Sequence, residues 1–391
     1  MKNILFIFSM IAMLFLAACD DDGETSQKET TLQKAIENYA DLVYASYLDT
    51  HTDAVALQTA INSFVASPDV TTHAAAKQAW LDARETYGQT EAFRFYGGPI
   101  DDEDGPEGQL NAWPLDESHI DYVTVSDAEN AGTNIINNTA DFPTITKEVI
   151  ADQNENGGEA NVSSGYHAIE FLLWGQDVSD GPGGGERDFT DYTTASNADR
   201  RGTYLKEATA LVVDDLASLL AEWEEGGSYR TIFTAADNAD NSLKDIVSAL
   251  GKLSKGELAG ERMYTAYDLR SKEDEHSCFS DNTHRDIVTN ALGIQNVYEG
   301  VYVSTNGSSV SGTSIKEVLA LENEELANSI SEKMTASLKA CTQIQAPFDQ
   351  EFLNEEGRKR ILAAITLLRE QGDLLAEGAE ALGFEFDPED I

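Results

Sequence analysis

Apolar residues recur every three or four positions over long stretches of this chain and alternate over almost none. Leu32, Ile36, Tyr39, Val43 and Tyr47 make one such stripe. Ile315, Leu319, Leu326, Ile330, Met334 and Leu338 make a second, with Glu322 as an acid on it, and Ile361, Ile365, Leu368, Gly372, Leu375, Ala379 and Leu382 make a third. This is the spacing of helices that hide one face against partners. The same reading predicts further helices over about 53–66, 72–95, 128–150, 165–174, 198–223, 241–268, 282–303 and 314–344. The best short strand candidate is Ile120 to Val125, "IDYVTV". Loops rich in Gly, Pro, Asn and acid fall at 96–117, 152–164 and 177–200, and the third marks the best boundary between two bundles. The expected fold class is all-α, with little or no β structure and two helical bundles over 33–195 and 196–391.

The first residues follow a different pattern. One basic residue, Lys2, precedes an apolar run from Ile4 to Ala18 broken only by Ser9. That run is too short for a membrane span and reads as a secretion signal, residues 1–18. It ends in Leu16-Ala17-Ala18-Cys19, which resembles a bacterial lipobox and predicts lipidation of Cys19. Residues 19–32 are polar and read as a flexible acidic stalk. The expected location is the bacterial cell envelope, periplasmic or cell-surface, with a lipid anchor in a membrane. The chain carries 70 acidic and 26 basic residues, a formal charge of −44. Nucleic acid is therefore excluded as a partner, because phosphates would be repelled. An exported chain permits a disulfide, and Cys278 and Cys341 are the two cysteines left to form one.

The candidate chemistry sits in "SSGYHAIEFLLWGQD", Ser163 to Asp177. His167 and Glu170 interrupt an otherwise apolar helix, three residues apart and therefore on one face. Imidazole and carboxylate in this spacing suit a metal such as iron or zinc. Two ligands do not complete a site, and a His–Glu pair satisfied by its neighbours has the same spacing. Further candidate ligands are His276 and His284, in the dense segment Lys272 to Asp286, where Asp281 could instead cap the next helix. Arg84, Tyr87, Glu91 and Arg94 share a helix face and read as a paired network. Arg200 and Arg201 start a helix and read as partners of loop acids. "DQNENGG", from Asp152, opens like a calcium loop but has Ser163 where a bidentate Glu belongs, so it reads as a turn. HExxH, its inverse HxxEH and GxSxG are all absent.

The segment "GYHAIEFLLWGQD" resembles the imelysin-like family, whose GxHxxE motif falls on Gly165, His167 and Glu170. "YGGPID", "GPEGQLNAWPLDE", "NADRRGTYL", "GERMYTAYD" and "EDEHSCFSDNTHRDI" resemble the family branch called iron-regulated protein A. The resemblance spans residues 33–391. It implies two helical bundles packed around a shared cleft and a role in iron acquisition. On that basis His167 and Glu170 are expected to bind iron or an iron-bearing ligand such as haem without catalysis, beside envelope iron-uptake proteins. The family also carries a peptidase label, so the alternative is a zinc-dependent peptidase with Glu170 as general base.

Overall fold

The structure, a computed structural model, describes residues 21–124, 134–179 and 181–390. The expected signal segment and Cys19 lie outside the described residues. The fold is helical, as its periodicity predicts. α1 (Asp21–Ala66) packs against α2 (Val70–Thr90) and α7 (Ala198–Trp223), and α6 (Gly165–Trp174) lies against α2 and α7. A second group gathers around α14 (Glu355–Leu382), which packs on α9 (Ala239–Lys252), on α12 (Ile315–Cys341) and on a π-helix, Leu253–Tyr264. α11 (Thr283–Glu299) joins the groups, packing on α2 and α12. One continuous apolar cluster runs from α1 to α14. Shorter helices complete the chain: α3 (Glu107–Asn111), α4 (Glu117–Ile120), α5 (Lys147–Gln153), α8 (Ser228–Phe233), α10 (Thr265–Leu269) and α13 (Phe348–Leu353). Among the described residues no helix is long and apolar enough to cross a membrane.

The three stripes face the core for the reason their spacing predicts. Ile36, Tyr39, Val43 and Tyr47 are buried in α1, and Ile361, Ile365, Leu368 and Leu375 in α14. Gly372 lets α14 press close to the π-helix, since a Cβ there would lie 2.6 Å from the Cβ of Lys255. α12 opens on a capping box between Ser314 and Glu317. It leaves helical geometry at Asn323, next to the acid of its stripe, and Glu322 points outward to pair with Lys28 at 2.8 Å.

Several expectations are corrected. α1 already begins at Asp21, so the described part of the expected stalk is helical; Gln, Lys and Glu favour helix as readily as solvated coil. "IDYVTV" is not a strand in its described part: Ile120 ends α4, and the carboxylate of Asp121 is taken up by arginines. Of the helix expected over 128–150, residues 128–133 lie outside the described residues, 134–146 are turns and loop, and helix starts at Lys147 after the N-cap of Thr146. α11 ends at Glu299 because Gly300 adopts a left-handed conformation, and a hairpin follows, β1 (Val301–Val303) with β2 (Ser309–Ser311). α7 packs on α1, α5, α6 and α8.

Candidate functional site

α6 is buried along its whole length. Its first residue, Gly165, has φ +81°, and a Cβ there would sit 2.5 Å from the carbonyl oxygen of Leu110. Only glycine tolerates both the dihedral and the approach. The first turn of α6 is thereby pressed onto α3, where Ser164 Oγ donates to the Gln109 carbonyl at 2.9 Å. Trp80 of α2 holds the next residue, its indole N–H donating to the Tyr166 carbonyl at 2.9 Å. This clamp fixes where His167 points.

His167 Nδ1 lies 2.9 Å from Glu170 Oε2. The other oxygen, Oε1, accepts the Ser280 N–H at 2.8 Å and the Ser280 hydroxyl at 2.7 Å. Both carboxylate oxygens are thus engaged, while Nε2 of His167 is buried with no hydrogen-bond partner. Burial, reinforced by the charge of Arg84, pushes the imidazole down to about 3. Burial pushes the Glu170 carboxyl up to about 8, against the two Ser280 hydrogen bonds. Below that pH Glu170 holds a proton and donates it to Nδ1, which places the ring hydrogen on Nε2. Above it, Nδ1–H donates to the carboxylate and Nε2 carries a bare lone pair.

A second imidazole faces the first. The rings of His167 and His276 meet edge to face with centroids 4.7 Å apart. His276 Nδ1 is held by Asp286 at 2.8 Å, and Ser277 Oγ donates to the same oxygen at 2.5 Å. Arg84 donates to the other oxygen of Asp286 from Nε at 3.3 Å and Nη2 at 3.2 Å, and to Asn111 Oδ1 at 2.7 Å. Asn111 passes the chain on to Glu91 at 3.1 Å, which also receives Arg262 at 2.7 Å and Arg94 at 2.8 Å. Burial works against the charges of Asp286 and Glu91, yet Arg84 for the first, and Arg262 and Arg94 for the second, hold both well below the usual carboxylate range. Burial, followed by the charge of Arg262, pushes His276 down to about 3.

These groups surround a cavity of about 20 Å³ lined by Trp113, Pro114, His167, Glu275, His276 and Cys278. It has room for one water-sized species. Glu275 is 2% exposed, and neither of its oxygens has a hydrogen-bond partner. Burial raises its carboxyl well above the ordinary value, and the nearby Thr283 hydroxyl does not offset this. Trp113 and Pro114 also line a neighbouring cavity of about 280 Å³, together with Arg94, Asn111, Glu257 and Arg262. Glu257 and Arg262 reach it from the twelve-residue π-helix, a geometry that recurs at functional sites.

The structure brings His167, Glu170 and His276 together. His284 stays apart, its Nδ1 turned to the Asp281 carbonyl at 3.1 Å. Asp281 caps no helix; its carboxylate accepts the Gly183 N–H at 3.0 Å. Cys278 and Cys341 are free thiols, so the disulfide is not formed: Cys278 lines the small cavity, while Cys341 is buried at the end of α12. Among the described residues no group of three or more His, Cys, Asp or Glu side chains is arranged to hold a metal ion. A bare ion does not fit the arrangement, because Glu170 and Asp286 spend their oxygens on protein donors. Sequence reasoning did not single out Glu275, Asp286, Asn111 or Trp113. All four fall inside conspicuous polar or aromatic segments, which was the only available signal.

The molecule is thus a two-group helical protein whose interior holds one anchored, half-satisfied imidazole on a Gly-x-His-x-x-Glu helix. The chain belongs to the imelysin family, whose model, described as imelysin, matches residues 43–375. It is 23% identical over 375 residues to the iron-regulated protein A of Synechococcus elongatus, covering 93% of this chain and 89% of that relative. Two crystal structures share the fold. One, described as an iron-regulated protein A precursor from Parabacteroides distasonis, has a TM-score of 0.64 at 18% identity and covers 90% of this chain and 95% of that one. The other, an imelysin-like protein from Psychrobacter arcticum, has a TM-score of 0.65 at 14% identity and covers 91% and 97%.

Proposed function

We propose that this chain is a lipid-anchored envelope protein of iron acquisition that binds an iron chelate without turning it over. The observation that carries this reading is the unpartnered Nε2 of His167, fully buried beside the small cavity while Nδ1 is anchored by Glu170. A single imidazole lone pair completes the shell of a metal that brings its other ligands with it, and an ionised Glu170 on Nδ1–H raises the basicity of Nε2. The chelate sits in the larger cavity and reaches Nε2 once Trp113 and Pro114, which line both spaces, move aside. The iron in the names of its relatives supplies the context, and the lipobox at Cys19 supplies the address.

The family's peptidase label supports a second reading, a zinc enzyme with Glu170 as base. That chemistry asks for three protein ligands and an open position, and the geometry of His167, Glu170 and His276 does not supply them.

The test is a titration of the chain from residue 20 onward with ferric citrate, haem, ferrous ion and zinc, followed by elemental analysis after desalting. The expected outcome is saturable uptake of ferric citrate or haem, lost in a folded His167→Ala variant, with bare ferrous ion not retained. Uptake of neither chelate, or of ferrous ion alone, would overturn the proposal. Stoichiometric zinc with chelator-sensitive peptide cleavage would replace it with the enzyme reading.

A further inference from the structure

A separate cavity of about 260 Å³ lies away from the His167 centre, between the segment 134–142 and the turn after α5. Its lining is unusual for a chain with a formal charge of −44. Neutral amides dominate, with Asn134, Asn138, Gln153, Asn156 and Asn161 joined by Phe142. Its one carboxylate among the described residues, Asp141, is tied to Asn138 Nδ2 at 2.8 Å. A divalent cation would find little charge to balance its own. The polar turn that begins like a calcium loop therefore contributes something else.

Both walls are held rigid from behind. Arg200 donates from Nε to the Ile136 carbonyl at 2.7 Å and from Nη2 to those of Ile135 at 3.0 Å and Phe142 at 2.7 Å. This guanidinium serves one wall, and among the described residues its partners are backbone carbonyls rather than the loop acids the sequence suggested. On the other wall Asn161 Nδ2 donates to the Asn156 carbonyl at 2.7 Å. Between the walls, His119 Nε2–H donates to the Gln153 carbonyl at 3.1 Å, leaving Nδ1 as an acceptor. Such bracing cuts the ordering cost of binding.

One lining group is left unsatisfied. Asn134 is 2% exposed; its Oδ1 accepts the Asn137 N–H at 2.9 Å, but its Nδ2 is buried without a partner. An orphaned amide donor on a residue that lines a preformed cavity offers a partner to a ligand acceptor. Amides supply paired donors and acceptors that match the vicinal hydroxyls of a sugar, and the Phe142 ring offers an apolar surface for its C–H face. We propose that this cavity is a binding site for a neutral saccharide, sized for one sugar ring. It is independent of the iron reading, and neither stands on the other.

The test is ligand-observed NMR and calorimetry on the chain from residue 20 onward, with glucose, galactose and N-acetylglucosamine as probes, glycerol and inositol as polyol controls, and calcium chloride as the cation control. Asn134→Asp keeps the Oδ1 acceptor that caps Asn137 and removes the donor. The expected outcome is saturable binding of a sugar, weakened about tenfold in Asn134→Asp and unchanged in His167→Ala. Hydrogen exchange on the unmutated chain provides a check free of folding artefacts: the sugar should slow amides within 134–142 and 153–161. Absence of binding by every sugar, binding of polyols equal to sugars, calcium binding in their place, or protection elsewhere would overturn the assignment.

Discussion

Two buried ionic centres sit at opposite ends of α6 and teach different lessons. At the far end Asp121, 0% exposed, accepts Arg201 Nε at 2.6 Å, Arg201 Nη2 at 3.0 Å and Arg187 Nη1 at 2.7 Å. Its carboxyl is pulled below the usual range, the two arginines outweighing burial. Arg187 and Arg201 also lie over the Tyr122 ring, 5.3 Å and 5.4 Å from its centroid. That acid has all the donors it can use. At the near end Glu170 is equally buried but meets only a neutral imidazole and Ser280, and its carboxyl moves the opposite way, to about 8. Burial is the same at both ends; the supply of positive charge differs. The Asp121 cluster leaves one buried nitrogen open as well, but it is Arg187 Nε, a cationic donor that cannot coordinate a metal, whereas the open nitrogen of His167 carries a lone pair when Nδ1 holds the ring hydrogen.

This contrast predicts a descending series of effects. Asp121→Ala strands two buried guanidinium groups and should cost about 3–5 kcal/mol in denaturant unfolding, with chelate uptake by the folded fraction unchanged. Gly165→Ala forces both a left-handed dihedral and a clash with the Leu110 carbonyl. It should cost about 2–4 kcal/mol by the same assay and displace His167.

Glu170→Gln should reverse the sign. The folded carboxyl titrates near 8 instead of its ordinary 4.5, so the folded state keeps a proton that the unfolded chain has lost. Wild type therefore loses stability as pH rises from the ordinary value through 8. The glutamine variant escapes that loss and should melt higher than wild type at alkaline pH and level with it in acid. Ser280 N–H requires the amide oxygen on its side, which turns the amide N–H toward Nδ1 and fixes the ring hydrogen on Nε2. Calorimetric titration should then show a stable protein with no chelate uptake. The smallest effect lies in wild type itself: uptake should strengthen by at most about tenfold per pH unit toward 8 and level off above it, because binding at Nε2 expels one proton.

Much of this was legible in the sequence, for reasons that particular residues make plain. α6 and α7 fall on the predicted ranges 165–174 and 198–223: glycines bracket the mostly apolar α6, and α7 keeps its apolar residues at helical spacing. The hairpin after Gly300 was not legible, since "VYV" continues the apolar run of α11 and only the glycine's left-handed conformation breaks it. At the site, the spacing of His167 and Glu170 put them on one face, but nothing in it shows that Glu170 spends both oxygens. His276 and His284 looked alike in one dense segment. The register of α11 decides between them, sending Asp286 toward His276 and leaving His284 against a backbone carbonyl.

The most direct measurement is a ¹⁵N spectrum of histidine-labelled protein, followed through pH with His167→Ala for assignment. The His167 ring should stay neutral through the ordinary histidine range around 6.5. Its hydrogen should move from Nε2 to Nδ1 as Glu170 ionises near 8, and addition of ferric citrate above that pH should broaden the Nε2 signal selectively. A His167 ring that gains a proton near 6.5, or an Nε2 that ferric citrate leaves untouched, would contradict it.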